Sequence, residues 1–143
     1  MERKKFLKSI GAGAAFALVF PCLHGCSSSE EDIQDTPVPT GVDFTVDLNS
    51  SEANNLKNNG GFILKNLVVV VRNLQGDFVA ASQVCSHFGT ERVRFINDSG
   101  GIYRCEEHGA RFDQAGAPLN SITSKPLKIF KTELNGDILR VFE

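Results

Sequence analysis

The chain has 143 residues, with 15 Lys and Arg set against 17 Asp and Glu and a net charge of −2 at pH 7. That length accommodates one domain and little else, and the charge balance gives no electrostatic basis for a nucleic-acid partner. The aromatic residues are 11 Phe and a single Tyr, with no Trp, so nothing resembles a base-stacking platform.

Residues 1–25 read as a targeting segment. Arg3, Lys4, Lys5 and Lys8 form a basic start, Ile10 to Leu23 carries no charge, and the run ends at Leu23-His24-Gly25-Cys26. The apolar run falls short of the roughly 20 residues that span a bilayer and suits a signal-peptide core. Its end resembles a bacterial lipoprotein signal, in which an aliphatic and a small residue precede a cysteine that is lipidated and becomes the new N-terminus. His24 is an unusual occupant of that motif, and a plain secretory leader is the alternative. Lipidation at Cys26 implies an exported protein held to a bacterial membrane, facing the periplasm or the cell surface, because more than one acyl chain gives stable anchoring. Arg3-Lys4-Lys5-Phe6-Leu7-Lys8 also looks like a twin-arginine export signal with lysine in the second arginine place; an ordinary basic start fits equally well.

Residues 26–41 are polar, acidic and proline-containing, with Ile33 and Val38 as the aliphatic residues between Ser27 and Thr40. Such a stretch buries too little apolar surface to fold and is expected to be a flexible tether.

From Val42 to Glu143 the chain alternates short strands and turns. Phe44, Val46 and Leu48 have the period of a half-buried strand. Phe62 to Leu64 and Leu67 to Val71 are aliphatic runs suited to interior strands, and Gln75-Gly76-Asp77 turns the second into Phe78 to Ala81. Arg92 to Ile96 and Ile102 to Arg104 flank Asn97 to Gly101 as a hairpin. Leu127 to Leu134 and Asp137 to Phe142 are expected to join through Asn135-Gly136, a favoured turn pair. Only Ser51 to Asn58 suits a helical turn or two. The pattern predicts an all-β fold, an antiparallel sandwich bearing a small metal-binding subdomain.

The chemistry lies in two boxes, Cys85-Ser86-His87 and Cys105-Glu106-Glu107-His108, each with one thiolate and one imidazole. The hairpin brings the second beside the first. Such a Cys₂His₂ set suits a tetrahedral zinc ion or a [2Fe–2S] cluster with mixed ligands. Structural zinc sites usually keep like ligands together, whereas here each loop carries one of each kind. Of the four cysteines, Cys22 lies in the leader and Cys26 at its end, so metal binding by Cys85 and Cys105 leaves no disulfide in the domain.

These boxes and their flanks, Val79 to Val84 before the first, Phe88-Gly89 after it, and His108-Gly109-Ala110-Arg111-Phe112-Asp113 with Gly116 after the second, resemble the Rieske iron–sulfur family. Pro126-Leu127 and the two strands that follow resemble its closing segment. The resemblance covers residues 42–143 and implies a Rieske-type antiparallel β-sandwich holding one [2Fe–2S] cluster. In it Cys85 and Cys105 bind one iron and His87 and His108 the other, through Nδ1, with Nε2–H near the surface.

Departures from the family's high-potential branch carry information. Thr90 and Glu107 stand where that branch places a disulfide across the cluster, and Ala110 and Phe112 stand where its Ser and Tyr donate to sulfur. The resemblance is therefore to the ferredoxin-type branch, with an expected potential near about −150 mV. Glu106, Glu107 and Arg111 are expected at the rim as docking or solvated charges, and Asp113 as organiser of a turn. No nucleophile–base pair, phosphate-cradling loop or paired carboxylates occur, so the chain is not expected to be an enzyme alone. The leading expectation is an anchored one-electron carrier serving redox proteins that the sequence does not name. The alternatives are the cluster subunit of a membrane or periplasmic oxidoreductase, linked to quinols or an oxygenase, and a zinc-stabilised module without redox activity.

Overall fold

The computed structural model describes residues 35–143. The leader, Cys26 and the tether as far as Gln34 lie outside the described residues. Nine strands follow: β1 (Asp43–Asp47), β2 (Phe62–Lys65), β3 (Val68–Arg72), β4 (Phe78–Ser82), β5 (Val93–Ile96), β6 (Ile102–Cys105), β7 (Arg111–Phe112), β8 (Ile129–Asn135) and β9 (Ile138–Phe142). A six-stranded sheet runs β1-β9-β8-β4-β3-β2 and a three-stranded sheet runs β5-β6-β7, with every pairing antiparallel. The all-β expectation holds, and the small second sheet carries the second ligand box. Among the described residues no helix is long and apolar enough to cross a membrane.

The valine run of β3 explains how the site is supported. Successive strand side chains point to opposite faces. Val68 and Val70 enter one core with Val46, Leu56, Phe130, Leu139 and Val141. Val69 and Val71 enter a second core with Cys85, Cys105, Phe95, Tyr103 and Phe112. A strand covered on both faces reads as an unbroken apolar run, and each fully buried valine contributes about 1.5–3 kcal/mol. The two cysteines thus rest on the hydrophobic core.

Two turns differ from expectation. Lys65 pairs with Val68, so Asn66 and Leu67, with φ of 51° and 61°, form the two-residue loop. Leu67 therefore leaves the strand in which its aliphatic character placed it. Two positive φ values are the pattern whose twist matches a hairpin. Asn135 pairs with Ile138, so the last turn is Gly136-Asp137 and not Asn135-Gly136; Gly136 has φ of 60° at the first loop position. β8 also begins at Ile129, because Leu127 is spent on the second core and donates its N–H to Gly116 at 2.9 Å. The segment from Ser51 to Lys57 is a 3-10 helix that buries Ala53 and Leu56.

The tether boundary also moves. Thr36 donates its N–H to the Gly89 carbonyl at 2.9 Å, and Lys128 donates to the Pro39 carbonyl at 3.0 Å. The last residues assigned to the tether therefore lie on the domain. Backbone groups there find partners in the first ligand loop and at the end of the sheet, contacts that local polarity does not reveal.

Candidate metal centre

The two ligand boxes fold into loops with one backbone pattern. In the first, Cys85 donates its N–H to the Thr90 carbonyl at 2.8 Å, and Gly89 donates back to the Cys85 carbonyl at 3.0 Å. In the second, Cys105 donates to the Ala110 carbonyl at 2.8 Å and Gly109 to the Cys105 carbonyl at 2.9 Å. Gly89 and Gly109 hold φ of 57° and 77°, which only glycine adopts without steric cost. The repeat equates Thr90 with Ala110. The histidines break it, His87 lying two residues after its cysteine and His108 three after its own. Glu106 donates to the Arg92 carbonyl at 3.0 Å, which joins the loops.

A third segment braces both. Ser86 Oγ donates to the Lys125 carbonyl at 2.8 Å, and Asn120 Nδ2 donates to the Gly109 carbonyl at 2.8 Å. Asp113 Oδ1 accepts from Ala115 and Ala117 at 2.9 and 2.8 Å and so organises the turn leading there, as expected. Asn120 and Ser86 went unnoticed in the sequence because a single polar residue in a loop has no local signature.

Cys85 and Cys105 are both free and buried. The Cys85 thiol, donating to Cys105, holds Cys105 below the ordinary thiol range against the opposing effect of burial. That same bond, with burial, pushes Cys85 up. Backbone amides of His87 and Phe88 point at the Cys85 sulfur, and those of Glu107 and His108 at the Cys105 sulfur; the His87 amide lies 3.4 Å away. Amides aimed at sulfur favour the thiolate that binds metal.

The imidazoles lie further out. His87 is half-buried, and its Nδ1 is fully buried with no hydrogen-bond partner among the described residues. His108 is exposed. Their rings meet edge-on at 5.1 Å between centroids, and the exposed Phe88 ring lies 3.9 Å from His87 and 5.1 Å from His108. A buried polar nitrogen without a partner costs free energy, and metal coordination would remove that cost. Two buried thiols in one core, with an imidazole nitrogen that has no partner among the described residues, therefore fit the donor chemistry of a mixed-ligand cluster.

The expected departures have a structural basis. Ala110 and Phe112 are fully buried and carry no hydroxyl. Thr90 is half-buried, with Oγ1 at 3.7 Å from Cys105 Sγ. Glu106 approaches Arg92 at 3.7 Å with both side chains about half exposed, a pair of small energetic weight.

The family model for the Rieske [2Fe–2S] domain matches residues 43–131. The chain belongs to this family, and its cofactor is a Rieske-type [2Fe–2S] cluster, which sets aside the zinc reading of the donor set. The iron–sulfur subunit of the cytochrome b6-f complex of Chlorobaculum thiosulfatiphilum is 35% identical over 69 residues, 48% of this chain and 37% of that subunit. The match thus spans little more than a third of that relative's length. Among solved structures, the ferredoxin of carbazole 1,9a-dioxygenase from Nocardioides aromaticivorans IC177 is similar with a TM-score of 0.51 and 25% identity, over 59% of this chain and 86% of the ferredoxin. A chain from the reduced complex between oxygenase and ferredoxin in carbazole 1,9a-dioxygenase has a TM-score of 0.54 at 13% identity, over 77% of this chain and 30% of that one. This last likeness concerns the fold alone. Fold and family together define a Rieske-cluster electron carrier.

Proposed function

We propose that Cys85 and Cys105 hold one iron of the cluster and His87 and His108 the other, in a one-electron carrier anchored to a bacterial membrane through lipid on Cys26. The observation that carries the ligand assignment is the gradient across the site. Both thiols are embedded in the second core, His87 Nδ1 is buried without a partner among the described residues, and His108 faces solvent. Neutral imidazoles in place of two thiolates make such a cluster easier to reduce than an all-cysteine one. Among the described residues no three His, Cys, Asp or Glu side chains gather about one point, and a two-iron cluster asks for only two protein donors per iron. The carrier reading is favoured because the domain spans 86% of a protein that is itself a ferredoxin. Its partners are then redox proteins that meet the imidazole edge. The likeness to a cytochrome b6-f subunit favours a second reading, a cluster subunit of a larger oxidoreductase. Export and lipidation rest on Met1 to Cys26 as a sequence.

Iron and acid-labile sulfide analysis of the purified protein, with EPR of the reduced state, tests the ligands. Wild type should hold two irons and give the rhombic signal of a Rieske cluster, and Cys85→Ser or His108→Ala should lose it. An intact signal in either variant would sink the assignment. Detergent partitioning tests the anchor: wild type should enter the detergent phase and Cys26→Ala should not. Co-purification with a large partner under mild detergent would select the subunit reading.

A further inference from the structure

The equivalent ends of the two ligand loops differ in one chemical group. Thr90 closes the first loop, accepting the Cys85 N–H on its carbonyl at 2.8 Å, and its hydroxyl oxygen lies 3.7 Å from the sulfur of Cys105 in the other loop. Ala110 closes the second loop with the same backbone bond and has no hydroxyl. We propose that Thr90 raises the cluster's potential through a hydrogen bond to the Cys105 sulfur, while its backbone positions the first loop.

The inference rests on the ligand assignment of Cys105 given above. As a free thiol, Cys105 could be donor or acceptor in this contact. A thiolate bound to iron has no proton, so the Thr90 hydroxyl becomes the donor. Sulfur is large, and a 3.7 Å separation lies within the reach of an O–H···S bond. Thr90 is half-buried and Cys105 buried, so water screens the contact little. Reduction adds one electron to the cluster and raises the negative charge on its sulfurs. A donor aimed at one of them stabilises the reduced state more than the oxidised state. The bond therefore raises the midpoint potential, and it acts on one thiolate of the two.

The test compares wild type with Thr90→Val, which keeps the shape without the hydroxyl, and Thr90→Ser, which keeps the hydroxyl. Iron and sulfide content and the EPR signal are recorded first, then the midpoint by protein-film voltammetry. Thr90→Val should favour the oxidised state about tenfold, which is about 59 mV downward for a one-electron couple. Thr90→Ser should stay within a quarter of that shift. If the valine variant loses its cluster, Thr90→Ala removes the hydroxyl by truncation and is held to the same expectation. An unchanged midpoint in a fully loaded hydroxyl-free variant overturns the inference alone. So does a serine variant that shifts as far as the valine one, which would assign Thr90 a packing role only. A wild type without the rhombic signal removes the ligand assignment, and this inference with it.

Discussion

The backbone N–H of Thr36 donates to the Gly89 carbonyl at 2.9 Å, fastening the chain ahead of the domain to the loop that carries Cys85 and His87. The Thr36 hydroxyl adds a bond to Glu91 Oε1 at 3.1 Å, and Lys128 secures Pro39. These contacts hold the loop from outside while the core holds it from within. A fragment beginning at Val42 should therefore release iron to a chelator faster than one beginning at Asp35. The two lost Thr36 bonds, both to the first ligand loop and its flank, at a net of about 0.5–1.5 kcal/mol each, correspond to roughly fivefold to 150-fold in local opening. Stopped-flow chelation compares them, and equal rates would show that residues 35–41 do not hold the loop.

Gly89 and Gly109 occupy the same place in the two loops but in different surroundings. A Cβ on Gly89 would collide with the Asp35 carboxylate, whereas one on Gly109 would meet nothing within 4 Å. Both alanine substitutions incur the left-handed backbone cost of about 1–2 kcal/mol. Gly89→Ala should cost more by displacing Asp35, and Asp35→Gly should bring the two costs together. Chemical denaturation of the single and double variants gives the coupling. Additive costs at Asp35 and Gly89 would mean the contact is absent in solution.

Tyr103 is fully buried in the core behind the cysteines, its ring 5.6 Å from Phe95 and its hydroxyl without a partner among the described residues. Burial alone pushes its ionisation upward. An unpaired buried hydroxyl costs about 1–3 kcal/mol. Tyr103→Phe should raise stability by about 1 kcal/mol, or roughly 4 °C in Tm for a domain of this size. A lower Tm would show that the hydroxyl has a partner in solution, such as a trapped water.

The parts of this protein readable from sequence are those set by neighbouring residues. The paired boxes, the hairpin between them and the doubly buried run of β3 are local patterns, and the structure places each where its pattern puts it. Leu67 was misplaced because its turn pairs Asn66 with a leucine where Gly is the usual signal, and the register Lys65↔Val68 is a tertiary fact. Gly136-Asp137 replaced Asn135-Gly136 by one step of register, which composition does not fix. Thr90 meets Cys105 across two loops, and Thr36 meets Gly89 across half the domain. Neither contact leaves a trace in local spacing, so a reading of the sulfur donors limited to Ala110 and Phe112 overlooked the hydroxyl at Thr90.

That hydroxyl makes Ala110 the informative site for raising the potential. Ala110 ends its loop as Thr90 ends the other, with the same backbone bond to its cysteine, and it is fully buried. A serine there is small enough to be accepted, and its hydroxyl would add a second donor near the thiolates. A differential of about 1–2 kcal/mol between redox states, taken from the range for hydrogen bonds to charged groups, corresponds to roughly 45–90 mV. Ala110→Ser should therefore raise the midpoint by about that amount. Phe112→Tyr should add a further increase only if its hydroxyl reaches sulfur. Phe112 is fully buried, so a hydroxyl there that finds no partner should also lower stability. Voltammetry and thermal denaturation of Ala110→Ser, read together, separate the outcomes. A hydroxyl that finds sulfur raises the midpoint and leaves Tm nearly unchanged. One that does not leaves the midpoint in place and costs about 1–3 kcal/mol as a buried unpaired group, and a shift below about 30 mV with that loss would show that a hydroxyl at position 110 does not reach sulfur.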